Sequence, residues 1–197
     1  MSSKASEHFS ARALALGAAV ALSVLPLTAK AQEHRELGAH VHGWGALNIA
    51  VDGADVALDL HVPGADIVGF EHDAASAEEK ALVADAIARL GRPLELFTPP
   101  DEAQCAVAQA NAEFSASHEG EEHAEGEGEE HEEGHAEFTA DYLLSCANPS
   151  ALSELQFRYF DAFPHAEGLH VQLADQQGTR AYEVKRAAPE LDLSATN

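Results

Sequence analysis

Residues 118–135 form a run built from only four residue types, HEGEEHAEGEGEEHEEGH. It holds four His, nine Glu, four Gly and one Ala, so its largest apolar side chain is a methyl group. A segment of this kind cannot bury a core, and we expect residues 115–136 to form a disordered, mobile loop at a hairpin tip. Imidazole and carboxylate are common ligands of zinc and other divalent metals. The candidate metal ligands of this segment are His118, His123, His131 and His135.

The first 31 residues have the pattern of a secretory signal peptide. Lys4 and Arg12 precede an apolar run over residues 13–27, and Ala29-Lys30-Ala31 provides an A-x-A cleavage site. The apolar run is short for a membrane span, and no second run is long enough to cross a bilayer. We therefore expect export to the periplasm, no membrane insertion of the mature chain, and a single metal-binding domain over residues 32–197.

The mature chain is strongly acidic. Loss of the leader removes Lys4, Arg12, Lys30 and Glu7, which changes the formal charge from −23 to −25 with His neutral. Such a surface repels nucleic acid and anionic lipid headgroups, and it attracts cations. Acidity alone would keep an exported protein soluble, but it does not account for four His placed among nine Glu.

The chain has two cysteines, Cys105 and Cys146, and in an exported protein they predict a disulfide. An oxidised pair is lost as a metal ligand, so metal binding must depend on His, Asp and Glu. If the two cysteines are partners on antiparallel strands, Phe114 lies opposite Glu137. That register puts Phe114 and Phe138 on opposite faces, so we expect a bulge near the tip of the hairpin.

Alternating apolar and polar residues predict hairpins in the rest of the chain. Residues 44–62 alternate on both sides of a turn at residues 52–55, and residues 169–186 form a last hairpin around a second turn. A strand is predicted at 155–160, a loop at 65–73 and a loose tail at 187–197.

One main helix is predicted after Ser76. Ser76 and Glu79 match a capping box, and the helix should end near Leu90 because Gly91 and Pro93 follow. Its expected apolar stripe consists of Leu82, Val83, Ala86, Ile87 and Leu90. The expected fold is therefore α+β, a mostly antiparallel sheet of hairpins with one main helix.

His40 and His42 are the leading candidates for an ordered metal site. In an extended chain the two imidazoles share one face, with Cα atoms about 6.5 to 7 Å apart. They can chelate one ion, with His72, His34, a carboxylate or water in the remaining positions. The alternatives are a polar strand start for the pair and a solvated loop for His72. The histidines for which a structural role is expected are His61, His165 and His170.

No enzyme motif accompanies these histidines. The sequence lacks H-E-x-x-H, G-x-S-x-G and a Gly-rich phosphate loop. His131 and His135 have the spacing of a zincin helix, but that segment contains Gly and has no apolar face. We therefore do not expect an enzyme.

Residues 32–51 (QEHRELGAHVHGWGALNIAV) and 66–72 (DIVGFEH) resemble the proteobacterial family of periplasmic zinc-binding proteins typified by ZrgA. Two cysteines on either side of a His- and acid-rich insert, and the final hairpin, extend the similarity over nearly all of the mature chain. Family members commonly have His where this chain has Leu37 and Trp44.

The resemblance implies a periplasmic zinc-binding accessory protein that captures zinc and supplies it to an ABC-type membrane importer. The acidic insert, richer in Glu than in His, favours weak and exchangeable capture. Copper and nickel also bind such ligands, so a broader divalent-metal buffer is one alternative. An acidic interaction module without a metal role, and a zinc hydrolase, are the others.

Overall fold

The computed structural model describes residues 42–117 and 135–193. Its strands are β1 (Trp44–Asp52), β2 (Asp55–Pro63), β3 (Phe97–Thr98), β4 (Cys105–Ser117), β5 (His135–Cys146), β6 (Glu154–Phe157), β7 (Gly168–Asp175), β8 (Gly178–Lys185) and β9 (Glu190–Asp192). Its helices are α1 (Gly64–Val68), α2 (Ala77–Leu90), α3 (Pro93–Leu96) and α4 (Tyr159–Ala162). No helix among these residues has the length and apolarity that a bilayer span requires.

Six strands form one sheet in the order β4-β5-β2-β1-β7-β8. Four of its pairings are antiparallel, and only β1 with β7 is parallel. A smaller antiparallel sheet has the order β3-β6-β9. Among the described helices only α2 is longer than five residues. The predicted α+β fold, with a mostly antiparallel sheet and one main helix, is confirmed.

The first and last hairpins form where the alternation predicted them. β1 and β2 are joined by Gly53 and Ala54, and Gly53 has a φ of +60°, a conformation that glycine adopts without steric cost. β7 and β8 are joined by a two-residue loop before Gly178, which has a φ of +122°. These tight turns fix the register of each pair.

The predicted disulfide joins Cys105 to Cys146 at one end of the β4–β5 hairpin. The register shifts between Val107 and Gln109, which leaves Ala108 without a partner. Phe114 therefore lies opposite Phe138, with ring centroids 4.8 Å apart. The expected bulge exists, but its predicted position near the tip was wrong. One extra residue beside the disulfide realigns the whole remaining hairpin, so both Phe side chains share one face.

The helix α2 packs against the inner face of the large sheet. Its capping box is present as predicted: the Glu79 N–H donates to the Ser76 hydroxyl, and the Ser76 N–H donates to the Glu79 carboxylate. Val83, Ala86 and Leu90 are buried, whereas Leu82, predicted to be part of the stripe, is 46% exposed. Leu82 instead lines a surface groove next to α1.

Three local predictions were wrong. The predicted loop at 65–73 contains α1, and the predicted strand at 155–160 ends at Phe157 and continues into α4. The predicted loose tail contains β9, which pairs with β6 and buries Leu191. Leu193 is also buried. In each case a contact distant in sequence decides the conformation, and the periodicity of a few residues could not show it.

Candidate metal centre

His42 lies beside a carboxylate from the segment after α1. The His42 Nε2 atom is 3.3 Å from the Glu71 Oε2 atom. The His42 side chain is 74% exposed and that of Glu71 is 22% exposed, so solvent reaches the pair from the histidine side. Two ligands of one tetrahedral zinc ion with bonds of about 2.0–2.2 Å lie about 3.3–3.5 Å apart. The His42–Glu71 separation matches that of two zinc ligands.

Two features of the backbone bring Glu71 to this position. α1 is capped by Gly69, which has a φ of +86° and donates its N–H to the Ala65 carbonyl. Gly64, at the start of α1, packs so closely that a Cβ atom there would lie 2.5 Å from the Phe70 carbonyl oxygen. The same Cβ atom would be 3.1 Å from the Ala136 carbonyl oxygen. The backbone at Gly64 thus packs closely against both the segment that carries Glu71 and β5.

Substituting Gly64 with Ala is expected to destabilise the protein by about 1–3 kcal/mol, the usual cost of forcing a side chain into a packed site. The new methyl group would meet two carbonyl oxygens that belong to backbone and cannot rotate away. Urea denaturation measures the change. Gly91→Ala is the matched control, because its Cβ atom would lie 3.4 Å from the nearest carbonyl oxygen, at a φ of −64°. Equal denaturation midpoints for the two variants would contradict the close approach at Gly64.

A buried carboxylate, Asp66, holds the turn that carries His42. Asp66 is 2% exposed, and its Oδ1 atom accepts a hydrogen bond of 2.7 Å from the Gly43 N–H. Its Oδ2 atom is buried with no hydrogen-bond partner. Burial raises the pKa of Asp66, while the Gly43 N–H and His42 act in the opposite direction. The carboxylate therefore ties α1 to the residues just before β1.

Negative charge is concentrated around this turn. The Glu71 Oε1 atom is also buried without a hydrogen-bond partner. Glu71 and Glu167 each act electrostatically on Asp66 and raise its pKa. Glu167 packs against Gly43, since a Cβ atom there would be 3.0 Å from the Glu167 Cγ atom. A buried carboxylate oxygen that accepts no hydrogen bond is stabilised by a nearby cation.

His72 is held in a different set of contacts. Its ring stacks on Phe70 with centroids 4.8 Å apart, and its Nδ1 atom is 3.0 Å from the Asp73 carbonyl oxygen. Its Nε2 atom is 3.9 Å from a Glu79 carboxylate oxygen. The structure therefore places His42 with Glu71 and His72 with Glu79. Over residues 42–117 and 135–193, no three His, Cys, Asp or Glu side chains are arranged to hold one metal ion.

The sequence of this chain matches a known protein family. Residues 39–193 match the family described as ZrgA family zinc uptake protein. The match covers more than half of the chain. The chain belongs to the ZrgA family. No curated protein matches it. The family description concerns zinc uptake and names no catalysed reaction.

Several histidines predicted as ligands in this ZrgA-family chain lie outside the described residues. They are His34, His40, His118, His123 and His131. The ligand roles of these five residues stay predictions. The mobile loop predicted at 115–136 was too long at both ends, because residues 115–117 belong to β4 and residues 135–136 to β5; the rest of it lies outside the described residues and stays a prediction. His135 is described, and it begins β5 as an exposed residue opposite Ser117.

ZrgA-family members were expected to have His at two positions of this chain. Leu37 lies outside the described residues, and Trp44 places an aromatic ring at the other position. Trp44 stacks on His170 with ring centroids 4.7 Å apart, and the Lys185 ammonium lies 5.5 Å from the Trp44 ring centroid. Gly168 provides the space, because a Cβ atom there would be 2.6 Å from the Trp44 ring. This corner of the sheet is closed by stacking and a cation–π contact.

Sequence reasoning missed Asp66 and gave Glu71 no more than a place beside His72. Both belong to the segment DIVGFEH, in which Asp66 precedes two apolar residues of a buried helix. An acidic residue next to apolar residues in a region of close packing was the available signal, since buried carboxylates need a partner. The partner, the Gly43 N–H, is 23 residues away and could not be identified from spacing.

Proposed function

We propose that this chain is a periplasmic accessory protein that binds zinc and supplies it to an ABC-type zinc importer in the membrane. Membership of a family of zinc uptake proteins supports the cargo. The single structural observation that carries the proposal is the pairing of the His42 Nε2 and Glu71 Oε2 atoms at 3.3 Å beside the buried Asp66.

In this proposal the ordered residues hold one ion more firmly than the acidic insert does. His42 and Glu71 contribute an imidazole nitrogen and a carboxylate oxygen, and Asp66 fixes the backbone of the turn through the Gly43 N–H. His40 would supply a further ligand from the same short stretch, as the H-x-H spacing predicts. The exposure of His42 leaves a path by which the ion can enter and leave.

The acidic insert would raise the local concentration of zinc. Nine Glu attract divalent cations through their field, and four His make transient bonds to them. A Glu-rich insert binds each ion weakly, so ions can pass on to a firmer site. Export would rest on the leader: N-terminal sequencing of protein from the periplasm is expected to begin at Gln32, the residue after the A-x-A site.

Zinc titration by calorimetry tests the proposed centre. The His42→Ala and Glu71→Gln variants are each expected to weaken the firmest binding step by at least about 10–100-fold, the loss typical when a group that orients a metal ligand is removed. His165→Ala is the matched control, because His165 is an exposed histidine in the groove beside α2.

The zinc titration can support or contradict the proposed centre in three ways. Loss of the firm step in the two site variants, with His165→Ala unchanged, supports the proposed centre. An unchanged firm step in both site variants would place it elsewhere in the chain. A wild-type protein indifferent to zinc, copper and nickel at neutral pH would overturn the proposed function.

A further inference from the structure

The outer face of the large sheet carries a second imidazole next to carboxylates. The core-facing residues of β2 are Leu58, Leu60 and Val62, which are buried, so Asp59 and His61 point to the opposite face. β2 pairs with β5, and Pro63 is the partner of Glu137. Strand pairing thus brings Asp59, His61 and Glu137 together on one exposed surface, although Glu137 is 76 residues further along the chain.

The two nitrogens of His61 face different carboxylates. The Nε2 atom is 2.9 Å from the Asp59 Oδ1 atom, and the Nδ1 atom is 3.4 Å from the Glu137 Oε1 atom. Asp59 is itself held, because its Oδ2 atom accepts a hydrogen bond of 3.1 Å from the Asn48 side-chain amide. Asp59 therefore orients the ring and favours the tautomer with its proton on Nε2.

That tautomer leaves two acceptors facing each other. The Nδ1 atom of His61 and the Oε1 atom of Glu137 are both shielded from solvent, and in the neutral form of His61 with its proton on Nε2 no proton joins them. Two acceptors at this distance repel unless a positive charge lies between them. A proton on Nδ1 is one such charge. A hydrogen bond to Glu137 raises the pKa of His61 most, burial acts in the opposite direction, and the charge of Asp59 raises this pKa further.

A divalent metal ion is the other charge that fits. The separation of 3.4 Å between Nδ1 and Oε1 is that of two ligands of a tetrahedral zinc ion, about 3.3–3.5 Å. A histidine that binds a metal usually donates its second ring N–H to a carboxylate, and Asp59 occupies that position. The arrangement thus includes both the ligand pair and the group that orients it.

We propose that His61 Nδ1 and Glu137 Oε1 form a second, exchangeable site for a divalent transition-metal ion, with Asp59 as the positioning residue and water as the remaining ligands. The inference rests on the proposed function for the identity of the cargo, zinc, and the geometry itself is independent of His42. A site with two protein ligands binds more weakly than a closed tetrahedral site and releases its ion readily. Glu137 comes two residues after His135, directly beyond the acidic insert in sequence.

Both sites lie at the same end of the sheet. His42 comes two residues before β1, and His61 lies two residues before the end of β2, its antiparallel neighbour. Gly45 packs against this strand so closely that a Cβ atom would be 2.9 Å from the His61 carbonyl oxygen. An ion released from the His61 site would therefore enter solution near the end of the sheet that carries His42.

The test is a zinc titration of the purified protein with ¹⁵N-labelled histidines, followed by NMR of the ring nitrogens. Zinc is expected to shift the Nδ1 signal of His61 in the wild type, at a higher zinc concentration than it shifts the signals of His42. Glu137→Gln should raise the zinc concentration needed at His61 by about tenfold or more, following the usual loss when a metal site is altered.

Glu113→Gln is the matched control for this substitution. Glu113 is exposed, lies opposite Thr139 on the neighbouring strand β4, and loses the same charge. It should leave the response of His61 unchanged, and so should His42→Ala.

Two outcomes would overturn the inference, and they differ in what they mean for the proposed function. If His42 responds to zinc and the ring nitrogens of His61 do not, the space between His61 and Glu137 holds only a proton, and the proposed function stands. If no histidine responds to zinc, both the second site and the proposed function are wrong.

Discussion

Replacing Cys105 and Cys146 together by Ser is expected to lower the free energy of unfolding by about 4 kcal/mol. In the chain-entropy model, a cross-link that closes a loop of about 40 residues contributes roughly that amount by restricting the unfolded chain. The two residues are 41 apart in sequence and are partners at one end of the β4–β5 hairpin. For a domain of about 150 residues, this loss corresponds to a fall in melting temperature of roughly 8–16 °C.

Thermal unfolding with and without a thiol reductant measures the effect. Reduction of the wild-type protein should reproduce the loss seen in the double variant, and reductant should leave the double variant itself unchanged. Because the described residues include no free cysteine, the reductant has one target. A double variant that melts within a degree or two of the oxidised wild type would show that the cross-link does not restrict the unfolded chain.

The Tyr159→Ala variant is expected to lose about 3–5 kcal/mol of stability, the range for removing a large aromatic side chain from a core. Tyr159 is fully buried. Its ring stacks on Phe97 with centroids 6.0 Å apart, and it packs edge-on against Phe160 at 5.4 Å. A third ring, that of Phe163, has its centroid 5.2 Å away. Truncation to Ala would leave a cavity among these three rings.

The Tyr159→Phe variant separates the ring from its hydroxyl group. The hydroxyl oxygen is buried with no hydrogen-bond partner, so its removal should leave stability unchanged or slightly higher. Burial raises the pKa of Tyr159 well above the usual value, with a further contribution from Asp66, so the group stays neutral at ordinary pH. Denaturant unfolding of both variants is the measurement. A loss of several kcal/mol in Tyr159→Phe would mean that the hydroxyl group has a partner.

These two predictions also bear on the candidate metal centre. The disulfide closes the hairpin from which the acidic insert extends, and Tyr159 lies close enough to Asp66 to be influenced by its charge. Measurements of zinc binding on destabilised variants therefore need a folded fraction determined at the same temperature. The His42→Ala variant changes an exposed side chain, so it should bind zinc differently while keeping the wild-type unfolding midpoint.

Local patterns were sufficient for much of the fold. Strict alternation in residues 44–62 predicted both β1 and β2, because a strand buries every second residue. The Ser76–Glu79 box predicted the first turn of α2, because both groups needed for the cap are within four residues. Two cysteines in a chain that was expected to be exported predicted the disulfide.

Local patterns predicted only one residue of the candidate pair, His42. His42 stood out because H-x-H is a recognisable spacing, but its carboxylate partner Glu71 is 29 residues away. His61 was expected to have a structural role, because it ends a strand of aliphatic residues. Glu137 lies beside His61 because β2 pairs with β5, although the chain between these two strands includes α2.

The sequence by itself determined that this chain has an acidic segment with no possible core, a set of amphipathic strands, one capped helix and a disulfide. These follow from the chemistry of neighbouring residues, and each depends on contacts within a few positions or on composition. Only the tertiary structure decided which carboxylate lies beside which imidazole. These contacts depend on strand order, on the pairing of β2 with β5 and on close backbone packing at Gly64. A change of one residue in register reverses every side chain, so the pairing energy of whole strands, and not local preference, places the ligands.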